Sequence, residues 1–102
     1  MWYNCPYLKA QVELTDERRE HIINRHPDVK PFLDLLGEVV EFPDEIRRSQ
    51  RDPNTLIFYR LYRELLGGKN LAVVVKIDHR AFVLSAYLTR TRVNGEMLWA
   101  KE

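Results

Sequence analysis

Residues 71–89 constrain the chain most. They read Leu71-Ala-Val-Val-Val-Lys-Ile77, a polar Asp78-His-Arg80, then Ala81-Phe-Val-Leu-Ser-Ala-Tyr-Leu-Thr89. Two β-branched and aromatic runs joined by so short a polar link signal a β-hairpin. Apolar residues fill both phases of the first run, as in a strand covered on both faces. The second run alternates, with Phe82, Leu84, Ala86 and Leu88 in one phase and Val83, Ser85, Tyr87 and Thr89 in the other. A two-residue turn at His79-Arg80 sets Lys76 opposite Val83 and diagonal to Ser85. The expected platform has a greasy side and a Lys-Ser-Tyr-Thr side.

The chain has 102 residues, 45% apolar and 30% charged, which fits one domain spanning residues 1–102. No apolar run approaches the ~20 residues of a membrane helix, so no membrane partner is expected. Cys5 is the single cysteine and no secretory leader is read, so the expected location is cytoplasmic. Net charge is only +1, but it is unevenly spread. Residues 13–45 hold ten acids and four Lys/Arg, and residues 46–102 hold eleven Lys/Arg and five acids. Either the basic half attracts an anion, or the two halves attract each other.

Ahead of the hairpin, Leu8, Ala10, Val12 and Leu14 alternate with polar residues and predict a half-buried strand. Met1 to Pro6 has no defined pattern. Thr15 is a candidate N-cap for a helix ending near Arg25 or His26, because Pro27 disfavours helical geometry in the residue before it. Ile22 and Ile23 are its only aliphatics, and Arg19 and His26 share their stripe. A second helix opens at Asp28 or Lys30 and runs to Pro43-Asp44, with Phe32, Leu33, Leu36, Val39 and Val40 as its apolar face. Glu45 to Gln50 is a short candidate strand and Thr55 to Arg63 a clear one. Gly67 to Asn70 reads as a loop, Asn94-Gly95 as a turn, and Met97-Leu98-Trp99 as a last strand. The class is α+β, with two N-terminal helices packed on one face of a four- to five-stranded antiparallel sheet. The second helix is expected to cover Phe82, Leu84, Ala86 and Leu88, together with Ile57, Tyr59 and Leu61. That leaves Arg60, Tyr62, Lys76, Ser85, Tyr87 and Thr89 on the other face.

Metal binding is poorly supported: His21 and His26 lie about 140° apart around a helix, and no Cys pair or Asp-x-Asp loop exists. Gly67-Gly68-Lys69 lacks the P-loop pattern, and no elbow motif holds a nucleophilic serine. No cofactor is implied. The remaining set is His26, Arg60, Lys76, Ser85, Tyr87 and Thr89. Cleaving RNA without metal needs a base for the 2′-hydroxyl, a cation for the phosphorane and an acid for the leaving oxygen. Histidine suits the first or last task, Arg and Lys the second, and hydroxyls donate to phosphate oxygens. Each residue also has a structural reading. His26 can serve the helix terminus, Arg60 and Lys76 can be solvated strand residues, and Tyr87 can be packing. On the stripe of Ile22, His26 can join that face only at a sheet edge.

Thr15-x-Glu17-Arg18-x-x-His21-Ile22-x-x-Arg25-His26-Pro27 resembles the opening of small bacterial and phage-associated domains of the barnase–EndoU–colicin–RelE-like (BECR) nuclease superfamily. Pro43-Asp44, Ser49, Asp52-Pro53, Tyr59-Arg60, Val74-Val75-Lys76, Ala86-Tyr87-Leu88-Thr89 and Leu98-Trp99 continue the likeness. The resemblance implies two helices before a four-stranded antiparallel sheet, and metal-independent RNA cleavage. It implies His26 as acid or base, Arg60 and Lys76 holding phosphate, and Tyr87 and Thr89 positioning it; Arg25 and Ser85 are expected beside them at the substrate. The implied partner is the RNA phosphate backbone. Two alternatives stand beside this: a catalytically inactive module binding protein or RNA, and a toxin whose basic face is masked by an acidic antitoxin or inhibitor protein.

Overall fold

The computed structural model describes residues 1–65, 67–92 and 95–102. Its elements are β1 Trp2–Cys5, β2 Ala10–Glu13, α1 Asp16–Arg25, a 3₁₀ stretch Pro27–Leu35, α2 Leu36–Glu41, β3 Glu45–Arg48, β4 Thr55–Tyr62, β5 Lys69–Asp78, β6 Arg80–Thr89 and β7 Met97–Ala100. The fold is α+β, as expected, but the sheet is larger than expected. Seven strands form one curled sheet in the order β1-β2-β6-β5-β4-β3-β7. It is mixed, not wholly antiparallel, because β2 runs parallel to β6 at Val12–Ala81 and Glu13–Phe82. The patternless N-terminus supplies β1, whose four residues pair antiparallel with β2. Asn94 lies outside the described residues, and with it half of the expected Asn94-Gly95 turn. No helix among the described residues is long and apolar enough to cross a membrane.

α1 begins as its sequence dictates. The Thr15 hydroxyl accepts the Arg18 amide at 3.1 Å, and Asp16 and Glu17 occupy the positive first turn. It stops at His26, ahead of Pro27. The expected second helix is split. Pro31 removes a backbone donor and Phe32 leaves helical geometry at φ −116°, so the chain winds as 3₁₀ turns until Leu36. The apolar stripe survives the kink: Leu36, Val39 and Val40 are buried, with Phe32 and Leu33 packed against them. Tyr3 of β1 closes on this layer at Gly37, where a Cβ would sit 2.7 Å from the tyrosine ring.

The faces of the hairpin differ from simple alternation. The turn centres on His79 alone, in the left-handed region at φ 57°, and Asp78 pairs with Arg80. Lys76 therefore lies opposite Phe82, not Val83. A bulge follows, where Val74 pairs with Ser85 but Val75 pairs with Val83, leaving Leu84 as the extra residue. Ala81 and Val83 face the helices before the bulge, and Ala86 and Leu88 after it. Phe82 is turned out, with the Arg80 guanidinium 5.7 Å from its ring centre. On β4 the expected phase is inverted. Leu56, Phe58 and Tyr62 join the helix-side core, while Ile57 and Tyr59 form a second cluster with Ala72 on the outer face. Apolar residues in both phases of a central strand leave that choice to register.

Leu84 belongs to neither core cluster, whereas Val83 is fully buried. Val83→Ala should therefore cost about 2 kcal/mol and Leu84→Ala less than about 1 kcal/mol, the reverse of side-chain size. Urea titration of both variants checks this, and a larger loss for Leu84→Ala contradicts the bulged register.

Candidate active site

β2 pairs with only the first residues of β6, so α1 takes over that edge of the sheet. The Arg18 guanidinium donates to the Leu84 carbonyl through Nε at 3.1 Å and Nη2 at 2.8 Å. Those bonds satisfy a backbone oxygen at the bulge and lay α1 along β6. The end of α1 then brings His26 to Tyr87, with ring centroids 6.0 Å apart and planes tilted by 39°. Both rings are partly exposed. His26 thus reaches the outer face around the sheet edge, the one route its position on the helix stripe allows.

On that face the registers align Glu45, Tyr59, Ala72 and Tyr87 in one row across β3, β4, β5 and β6. Ala72 is the small member, and over it Tyr87 hydrogen-bonds to Tyr59. Burial first, then this bond and the charge Tyr59 would carry, hold the Tyr87 hydroxyl well above an ordinary tyrosine. It is therefore a neutral donor at any physiological pH. The next row carries Leu61, Asn70 and Thr89, and the row on the other side carries Arg47, Ile57, Val74 and Ser85. Ser85, Tyr87 and Thr89 share this face.

Arg92 covers the row from above and was not singled out in the sequence. Its guanidinium lies 6.0 Å from the centre of the Tyr59 ring. It donates to Glu45 at 3.1 Å and to Asn70 Oδ1 at 3.1 and 3.2 Å. Glu45 also accepts Arg47. Glu45 and Asn70 are buried, so their polar atoms depend on these bonds. Nothing local in Thr89-Arg90-Thr91-Arg92 tells which arginine turns inward.

Three residues expected here are placed elsewhere. Arg60 faces the helices: Nη1 donates to the Phe42 carbonyl at 2.6 Å and Nε lies 3.2 Å from Glu38. Tyr62, expected beside it on the open side, is also on the helix side and donates to Glu38 at 2.6 Å. Lys76 is on the outer face, but four residues along β5 from Ala72, roughly 13 Å away. Its ammonium is held by Asp52. Asp52 also accepts the Asn54 amide at 2.9 Å and the Thr55 hydroxyl at 3.1 Å. His26, Arg60 and Lys76 are therefore not one constellation. Arg25 is exposed and, among the described residues, forms no hydrogen bond or ion pair. His21 is held below its ordinary value, by desolvation first and then by Arg18, Arg25 and His26. No group of three or more His, Cys, Asp or Glu among the described residues is placed to hold a metal ion.

Comparison with protein-family models, with curated proteins and with solved structures finds no match to this chain.

The Lys76 ammonium first, then the Asn54 amide, lower the Asp52 carboxyl to about 2. A depressed carboxyl stabilises the fold above its unfolded value and loses that contribution as pH falls through its folded value. The Asp52 contribution should therefore disappear between about pH 4 and pH 2. Denaturation at these two pH values should show a shallower acid loss for Asp52→Asn than for wild type. Equal acid loss in both contradicts the Asp52–Lys76 pair.

Proposed function

We propose that the chain is a metal-independent ribonuclease whose reacting groups gather where α1 meets β6. The observation that carries this reading is the approach of His26 to Tyr87 at the edge of a face rich in hydroxyl donors. A phosphodiester lying there meets the His26 imidazole, the Ser85 hydroxyl, and the Tyr87 and Thr89 hydroxyls, which would turn to its oxygens from Tyr59 and from the Thr91 carbonyl. Arg25 supplies the free cation beside His26, a role that Arg60 and Lys76 cannot share from their positions. The resemblance to BECR nucleases supports the same chemistry at His26 and Tyr87.

In the reaction His26 takes the 2′-hydroxyl proton. The freed oxygen attacks phosphorus, the 5′-oxygen leaves, and that oxygen takes up a proton. The products carry 2′,3′-cyclic phosphate and 5′-hydroxyl ends. One histidine can serve both transfers in turn, as base and then as acid, with Tyr87 neutral throughout as donor.

A second reading has its own support. Arg60 and Lys76, the cations expected to neutralise phosphate, are each engaged by a carboxylate. A face with so little free positive charge suits a catalytically inactive module that binds RNA or protein.

The experiment separates these readings. Purified protein is incubated with total RNA, with and without EDTA. EDTA-insensitive cleavage is expected, with cyclic phosphate ends. His26→Ala should lower the rate about 10²–10⁴-fold with an unchanged circular dichroism spectrum. Arg60→Ala should leave it within about threefold of wild type. Salt-dependent RNA binding without cleavage establishes the module instead. Cleavage undiminished in His26→Ala overturns the catalytic assignment.

A further inference from the structure

On the ribonuclease reading above, on which this inference rests, we propose that Tyr59 is a positioning residue acting through Tyr87. Its buried hydroxyl stands behind the Tyr87 hydroxyl and donates to it once Tyr87 turns to the phosphate. Tyr59 on β4 lies opposite Ala72 on β5, and Ala72 lies opposite Tyr87 on β6. The small Ala72 side chain leaves the two phenols room to meet, and there they share a hydrogen bond. Tyr59 and Ala72 are fully buried, while Tyr87 is partly exposed beside His26. One end of the pair is sealed in the protein and the other opens onto the candidate site.

Packing does not account for the Tyr59 hydroxyl. Its ring sits in an apolar cluster with Ile57 and Ala72, against Val74 and Tyr87, where phenylalanine would make the same carbon contacts. A buried hydroxyl costs free energy unless it is bonded, and the bond to Tyr87 leads to the site. The ring is held in place from above. Arg92 lies 6.0 Å from its centre, and buried Glu45 and Asn70 fix that guanidinium with bonds of 3.1 and 3.2 Å. Glu45 is also the β3 neighbour of Tyr59. A hydroxyl on a ring so held responds by turning its proton, not by moving its oxygen. A phenol both donates and accepts, so either proton can lie in the shared bond. In the free protein Tyr87 donates to Tyr59. When Tyr87 turns to a phosphate oxygen, Tyr59 reverses and donates to the Tyr87 oxygen. Tyr87 then keeps a partner inside the protein while it donates outward, and a hydroxyl that accepts one hydrogen bond donates the next more strongly. No proton leaves either ring.

The test compares Tyr59→Phe, Tyr87→Phe and the double variant in the full-length protein, with kcat and KM measured on a single-stranded RNA oligonucleotide. Both changes keep the ring, so the melting profiles should stay close to that of wild type. Tyr87→Phe should lower kcat about 10²-fold. Tyr59→Phe should lower it about tenfold, with little change in KM. In the Tyr87→Phe background the same Tyr59→Phe change should alter kcat less than about twofold, because its route to the substrate is gone. Ile57→Val loosens the same cluster without removing a hydroxyl, and should leave kcat within about twofold of wild type. A Tyr59→Phe protein as fast as wild type, losses that multiply in the double variant, or an equal loss in Ile57→Val overturns the positioning role, while cleavage by wild type leaves the ribonuclease reading standing. Wild-type protein that cuts no RNA overturns both.

Discussion

The extra residue at Leu84 decides what each face of this protein can be. A strand has period two, so an unbroken β6 would send Ala81 and Val83 to one face and Ala86 and Leu88 to the other. The register shift between Val74 and Val75 lets all four meet the helices. It also leaves the Leu84 carbonyl for Arg18, and that bond runs α1 along the sheet edge. From this follow the position of His26 and the exposure of Ser85, Tyr87 and Thr89 on the far face. Core packing and site geometry thus depend on the same irregularity.

Much of this was legible in the amino-acid order. The caps of α1, its stop before Pro27, the hairpin and the β4 strand follow from local chemistry. So does the outward placing of Ser85, Tyr87 and Thr89, although the alternation argument reached it without the bulge. The phase of β4 was not legible, because Ile57, Phe58 and Tyr59 are all buried and only pairing with β5 sorts them. The mistaken phase set Arg60 on the open face, whereas it lies on the helix side. The β1 strand escaped because its four residues show no alternation and gain their order from β2. The parallel contact of β2 with β6 is a tertiary fact, invisible to any window along the chain.

The electrostatics qualify the +6 balance of the second half. Several of those cations are spent internally: Arg47 and Arg92 on Glu45, Lys76 on Asp52, Arg80 on Glu13 and Arg48 on Glu96. Three of these acids, Glu13, Asp52 and Glu45, lie on strands or turns that the same arginines and lysine help to join. The charge asymmetry therefore holds the fold together as much as it attracts a ligand. Among the described residues, Arg51, Arg63, Lys69, Arg90 and Lys101 of that half form no side-chain ion pair, and neither does Arg25 at the end of α1, where His26 approaches Tyr87.

The central claim is that a nucleic-acid strand engages the outer face at His26 and Tyr87, and not a cluster of His26, Arg60 and Lys76. Titrating isotope-labelled protein with 2′-O-methyl single-stranded RNA, which binds but cannot be cleaved, tests this by NMR. The account predicts that the His26 and Tyr87 ring signals and the Arg25 side chain shift together at low salt, while the Arg60 Nε resonance stays in place. Shifts at Arg60 with His26 unmoved, or no shift at low ionic strength, would contradict it.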